Sequence, residues 1–198
     1  MRVYNTIQEP TEGLYKEKGS KFLSFAYPVE SVDQVRGIVN ELKKEHYEAR
    51  HHCFAHIIDH AEQQKVRAND DGEPGHTAGD PILGQIKSFE LTDVLVVVVR
   101  YSGGTKLGVP GLINAYRTAA QDALQQAEII TVEVKSKFHL EYGYEVTSEA
   151  MRIINDFQVD ILDQQFTESC LLTGKIEPEK VNPLKDKLSL LGLNLIID

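Results

Sequence analysis

The sequence predicts an α+β protein of two domains, and two observations carry that prediction. Residues 91–124 run from an unbroken apolar segment (Val94, Leu95, Val96, Val97, Val98, Val99) through a glycine-rich turn into an amphipathic helix. After Glu128 the pattern becomes strand, helix, two strands, helix, strand. Such a set forms a sheet of its own, which places a boundary near residue 130 and domains at 1–130 and 131–198. At 198 residues, with 41% hydrophobic and 26% charged, the chain has enough apolar material for ordinary cores.

Residues 4–27 read as extended, with Gly13 and Lys18-Gly19-Ser20 as turns and residues 22–27 as an aromatic-rich strand closed by Pro28. Ser31 is a good N-cap with Gln34 three residues on. Val32, Val35, Ile38, Val39 and Leu42 then form the apolar stripe of a helix running to about His46. Residues 49–58 alternate as a strand, with Cys53, Ala55 and Ile57 set against His52, Phe54 and His56. His51 and His52 point to opposite faces, and His52 and His56 lie about 13 Å apart along a strand, so no metal pair is expected. Either His51 or His52 can donate to a phosphate, although a hydrogen-bonded structural histidine is the commoner outcome.

Two loops stand out. Residues 69–79 are dense in acids, glycines and turn formers ahead of a helix at 81–86. Asp70, Asp71, Glu73 and His76 form a candidate acidic pocket, able to hold Mg²⁺ through water if they converge; the favoured alternative is that these acids cap backbone N–H groups or pair with Arg50 and Arg100. The second loop, Arg100-Tyr101-Ser102-Gly103-Gly104-Thr105-Lys106-Leu107-Gly108, joins the buried strand to a helix whose first turn suits Pro110. Leu112, Ile113, Tyr116, Ala119, Ala120, Ala123 and Leu124 give that helix one apolar face to pack on the strand. Backbone N–H groups at its start, with Arg100 and Lys106 beside them, suit an anion, most naturally a phosphate. It is not a Walker A loop, because Val109-Pro110 stands where Lys-Ser/Thr is required.

In the second half, residues 129–142 read as a strand, 147–157 as a helix, 159–166 and 170–176 as a hairpin, 179–191 as a helix and 193–197 as a last strand. That order is the ferredoxin-like split motif. Nothing there looks catalytic, and Tyr142 and Tyr144 read equally as packing residues or as ligand contacts.

The formal net charge is −9, and neither half is basic: residues 1–134 hold 14 basic against 19 acidic residues, and 135–198 hold 7 against 11. A nucleic-acid contact must therefore be local, confined to a patch around Arg50, Arg100, Lys106 and Arg117. Cys53 and Cys170 have no CxxC partner, which argues against a structural zinc site and fits a reducing compartment. No long apolar run and no signal-peptide pattern are present, so a cytoplasmic protein without membrane contact is expected. No motif calls for a cofactor or metal.

With both loops in hand, the chain resembles the IMPACT family and its bacterial YigZ-like branch. The match runs through Lys18-Gly19-Ser20-Lys21-Phe22, Ala49-Arg50-His51-His52-Cys53, Asp70-Asp71-Gly72-Glu73-Pro74 with Thr77-Ala78-Gly79, and the glycine loop with Gly111-Leu112 and Ala115-Tyr116. His76 stands where that family has a glycine, Ser102 where an aromatic is usual, and Pro110 replaces a common glycine. The resemblance implies a first domain similar to domain IV of elongation factor G and a second similar to its domain V. Eukaryotic members act in translational control through an extra N-terminal domain, and their partner is not expected to carry over here.

These readings lead to a translation-associated binding protein that contacts RNA or a ribosomal surface. The expected contact residues are Lys18, Lys21, Arg50, His51, His52, Arg100, Tyr101, Gly103, Gly104, Lys106, Gly108 and Arg117, with Tyr101 stacking on a base. One alternative is an enzyme acting on a small phosphorylated or nucleotide substrate, with Asp71, Glu73 or His51 as acid–base groups. Another is a scaffold for a protein partner. The expectation common to the first two is that the acidic and glycine-rich loops converge.

Overall fold

The computed structural model describes residues 2–60 and 63–198. The chain divides into two compact units, Tyr4–Val132 and Glu133–Asp198, the latter joined by the first residues of the chain. Both are mixed α+β units built on antiparallel sheets.

In the first unit the elements are β1 (Val3–Ile7), β2 (Thr11–Glu17), β3 (Ser20–Pro28), α1 (Val32–Glu45), β4 (His51–His60), β5 (Gln63–Asn69), α2 (Gly79–Ser88), β6 (Val94–Tyr101), α3 (Gly108–Gln125) and β7 (Ile129–Glu133). Five of the strands form a sheet in the order β2-β3-β6-β4-β5, with β6 at its centre. The unbroken apolar run is explained by that position: Val94, Val96 and Val98 pack with α2 and α3, while Leu95, Val97 and Val99 pack with α1. A central strand covered on both faces has no side on which a polar residue would be solvated. Ser31 caps α1, its Oγ accepting from the Gln34 N–H at 3.1 Å, and the Gln34 amide oxygen reaches back to accept from the Glu30 N–H.

Two local expectations are corrected here. Gly13 lies inside β2, and the reversal before it occupies residues 8–10. A Cβ at Gly13 would stand 2.5 Å from the Ala123 backbone nitrogen and 2.5 Å from the Ser24 Oγ, so this glycine admits the close approach of α3 to β2. Strand β5 escaped the sequence reading because it is a polar edge strand, exposed from Gln63 to Arg67, with lysine and arginine in place of an apolar alternation.

The second unit holds β8 (Ser136–Tyr142), α4 (Thr147–Asp156), β9 (Asp160–Phe166), β10 (Cys170–Ile176), α5 (Val181–Ser189) and β11 (Leu195–Ile197), with sheet order β11-β8-β10-β9. The expected β-α-β-β-α-β order is present, around a core of Phe138, Leu140, Ile154, Leu172, Leu184 and Leu188. Residues 129–142 are two strands rather than one: β7 pairs with β1, and only β8 enters this sheet. Tyr142 is buried, while the exposed Tyr144 donates its hydroxyl to the Thr167 carbonyl at 2.6 Å. Among the described residues no helix is long and apolar enough to cross a membrane.

Gly13→Ala forces α3 off β2 and should lower unfolding stability by about 1–3 kcal/mol, read as a drop in the urea midpoint. An unchanged midpoint would contradict the close approach.

Candidate functional site

Strands β3, β4 and β6 bring the sequence-predicted residues to one end of the five-stranded sheet. Lys21 pairs with Tyr101, and Arg100 pairs with Phe22 on one side and His51 on the other. Directly opposed residues share a face, so Phe22, Arg100 and His51 form one row. Arg100 lies with its guanidinium carbon 5.6 Å from the Phe22 ring centroid.

The acidic loop folds over this row. Glu73, whose side chain is only 4% exposed, accepts at Oε1 from Arg100 Nη1 at 2.6 Å and from the Tyr116 hydroxyl at 2.6 Å. A carboxylate and a guanidinium can share an interior only by neutralising one another, and the phenol adds a second donor to the same oxygen. Burial, chiefly, pushes the Tyr116 hydroxyl pKa upward, so it stays a donor. His51 donates from Nδ1 to the Asp71 carbonyl at 2.8 Å, leaving Nε2 3.9 Å from Glu73 Oε1. Arg100, expected among the ligand-facing cations, is therefore spent on Glu73, its side chain 10% exposed.

The other acids of the loop serve its backbone. Asp70 Oδ1 accepts from the Ala78 and Gly79 N–H groups at 3.2 and 2.8 Å, and Oδ2 accepts from the His76 N–H at 2.9 Å, which holds the start of α2. Burial raises the Asp70 pKa, but those three backbone donors outweigh it and hold the carboxyl below its ordinary value. Asp71 Oδ2 accepts from the His52 N–H at 2.8 Å, and its Oδ1 lies 3.7 Å from Lys43 Nζ. His76 has φ +65°, the left-handed backbone that a glycine adopts without cost, and its exposed ring meets Asp80 at 2.6 Å.

His52 and Tyr101 are also less open than expected. His52 is 5% exposed with Nε2 3.0 Å from the His46 carbonyl, and burial lowers its pKa. Tyr101 is half-buried, its hydroxyl 2.8 Å from His46 Nδ1 and its ring edge-on to that imidazole. Cys53 is fully buried, its thiol donates to the Asp70 carbonyl, and burial pushes its pKa far up, which suits packing rather than nucleophilic attack.

The glycine loop itself stays on the surface. A Cβ at Gly103 would fall 2.2 Å from the Gly19 carbonyl carbon, so the loop rests directly on the β2–β3 turn, and the Gly103 N–H donates to Ser20 Oγ at 3.1 Å. Gly104, Lys106 and Gly108 are exposed, and no side chain caps the start of α3. Lys18, Lys21 and Arg50 are exposed at the same sheet end, and among the described residues these three and Lys106 carry no ion pair. Arg117 is exposed further along α3, bonded to Asn114 at 3.1 Å. Among the described residues no group of three or more His, Cys, Asp and Glu is placed to hold a metal ion.

Sequence reasoning missed Tyr116 and Ser20 as members of this assembly. The signal for Tyr116 was present: a tyrosine on an otherwise alanine-rich buried helix face needs a partner for its hydroxyl.

Glu73→Ala leaves the Arg100 charge buried alone and should cost about 3–5 kcal/mol, against about 1–2 kcal/mol for Tyr116→Phe, both by denaturant unfolding. Asp70 has a depressed folded-state pKa. Its contribution is present above the ordinary value of 3.8 and is lost as pH falls through the lower folded value. Asp70→Asn should therefore be less stable at neutral pH, with the gap from the parent closing on acidification below about pH 4; a gap independent of pH would remove the capping role.

A family profile described as the Impact N-terminal domain matches residues 18–124. An IMPACT family member of Haemophilus influenzae is 31% identical over 173 residues, covering 87% of this chain and 84% of its own. The IMPACT family member YigZ of Escherichia coli is 29% identical over 173 residues, covering 87% and 85%. A crystal structure described as that of a hypothetical protein superposes with a TM-score of 0.71 at 27% identity, covering 99% of this chain and 97% of the other. The profile match takes in the β2–β3 turn, both loops and most of α3, and the chain belongs to the IMPACT family.

Proposed function

We propose that the chain is a translation-associated regulatory protein that docks RNA or a ribosomal surface through the sheet end formed by Lys18, Lys21, Arg50, the glycine loop and Lys106. One observation carries this reading: in a chain of net charge −9, Lys18, Lys21, Arg50 and Lys106 are exposed and, among the described residues, without ion pairs on segments that meet at one end of the sheet, where the exposed glycine loop leads into an uncapped helix. Unpaired lysines that meet phosphates release the counterions condensed there, and the backbone N–H groups of an uncapped helix start donate to an oxyanion. His51, half-buried at the rim, and Arg117 extend the patch; Arg100 supports it from below by anchoring the loop through Glu73. The acidic remainder of the surface limits the contact to this patch and keeps affinity sensitive to salt.

Membership of a family whose eukaryotic members act in translational control supports the biological setting, and we extend the reading to the likeness between the two units and domains IV and V of elongation factor G. The enzymatic alternative has less support. Glu73, its best-placed acid, is already held by Arg100 and Tyr116, and Asp70 and Asp71 are engaged with backbone.

Fluorescence anisotropy with a labelled RNA hairpin tests the reading. Binding should weaken steeply with salt, and each of Lys18→Ala, Lys21→Ala, Arg50→Ala and Lys106→Ala should reduce the slope of log affinity against log salt by about one unit where it removes a phosphate contact. Absence of binding at low salt, or a fourfold variant that binds like the parent, would refute it.

A further inference from the structure

We propose that the groove between α1 and the edge strand β5 is a second binding site, separate from the sheet-end patch, for a small hydroxylated phosphate ester. A cavity of about 320 Å³ opens there between Val32, Arg36, Ile58 and Lys65. A smaller one of about 80 Å³ adjoins it, sharing Val32 and Arg36 and floored by Val35, Val39 and Phe54. An apolar floor with a few convergent polar groups is the usual form of a small-molecule site. None of the cations of the sheet-end patch lines it.

The polar groups define the ligand. His56 lines the smaller cavity, is only 3% exposed, and its Nδ1 has no hydrogen-bond partner. Burial, followed by the neighbouring Arg67, lowers its pKa. A neutral imidazole has one donor and one acceptor nitrogen, and a hydroxyl, which both donates and accepts, satisfies the orphaned Nδ1 in either tautomer. Arg36 and Arg67 line the same cavity, and planar guanidinium groups favour oxyanions. Arg36 is presently paired with Asp33 at 3.3 Å, both largely exposed, a weak contact that a phosphate can displace. Glu30 and Asp33 border the outer cavity. Their charge opposes a polyanionic strand and admits a single phosphate beside the arginines, which favours a sugar phosphate over a nucleic acid.

Calorimetric titration of the full chain with ribose 5-phosphate, ribose and inorganic phosphate tests the assignment, alongside the His56 ring-nitrogen resonances. Saturable binding of ribose 5-phosphate is expected, tighter than either fragment, with a shift at His56 Nδ1 that inorganic phosphate does not reproduce. The exposed pair Arg36→Ala and Arg67→Ala, whose folding is checked by its amide spectrum, should weaken that binding at least about tenfold. Three results would overturn the site: no saturation by about 50 mM ligand, equal affinity for inorganic phosphate, or binding that survives the arginine pair and is lost with Lys18→Ala and Lys106→Ala.

Discussion

One carboxylate oxygen ties the first unit together at one end of its sheet. Glu73 Oε1 receives Arg100 from the end of the central strand and Tyr116 from the helix that follows it, both at 2.6 Å. A buried charge is tolerated only when it is paired and hydrogen-bonded, so the acidic loop, β6 and α3 must all be in place for any of them to be. The loop's unusual backbone, with positive φ at Asp71, Gly72 and His76, is then held by Asp70 from within and by Glu73 from the sheet. The charges that look most reactive in the sequence are thus the ones used to close the fold.

That use sorts the polar residues by position. Cations on the inner row are consumed, as Arg100 is, while cations one residue outward or on the adjoining turn remain open, as Lys21 and Lys18 do. Because opposed residues in a sheet share a face, a single step along β3 or β6 separates the interior from the rim. The rim is where a partner of opposite charge finds groups that have surrendered no solvation to the protein itself.

Much of the architecture was legible because its signals were local. The Ser31 cap, the apolar run of β6 and the alternating faces of β4 each announce themselves within a dozen residues. What could not be read depended on neighbours distant in sequence. Gly13 looks like a turn until α3 is laid against β2. Strand β5 has no apolar period because it forms an edge, and the break between β7 and β8 follows from β7 having its partner in β1. For the site, Glu73 of the acidic loop reaches Arg100 and Tyr116, which flank the glycine-rich connection, and whether the acids faced a ligand or the protein turned on Tyr116, a residue that reads from sequence as core.

The contact of Gly103 with Gly19 has a further meaning for association. Backbone laid on backbone leaves no side chain between the two turns that could swing, and Ser20 pins the same junction with a hydrogen bond. Lys18 and the glycine loop are consequently held in register before a partner arrives. Little ordering entropy remains to be lost on encounter, so a partner of this surface would have to match a fixed geometry rather than mould a flexible one.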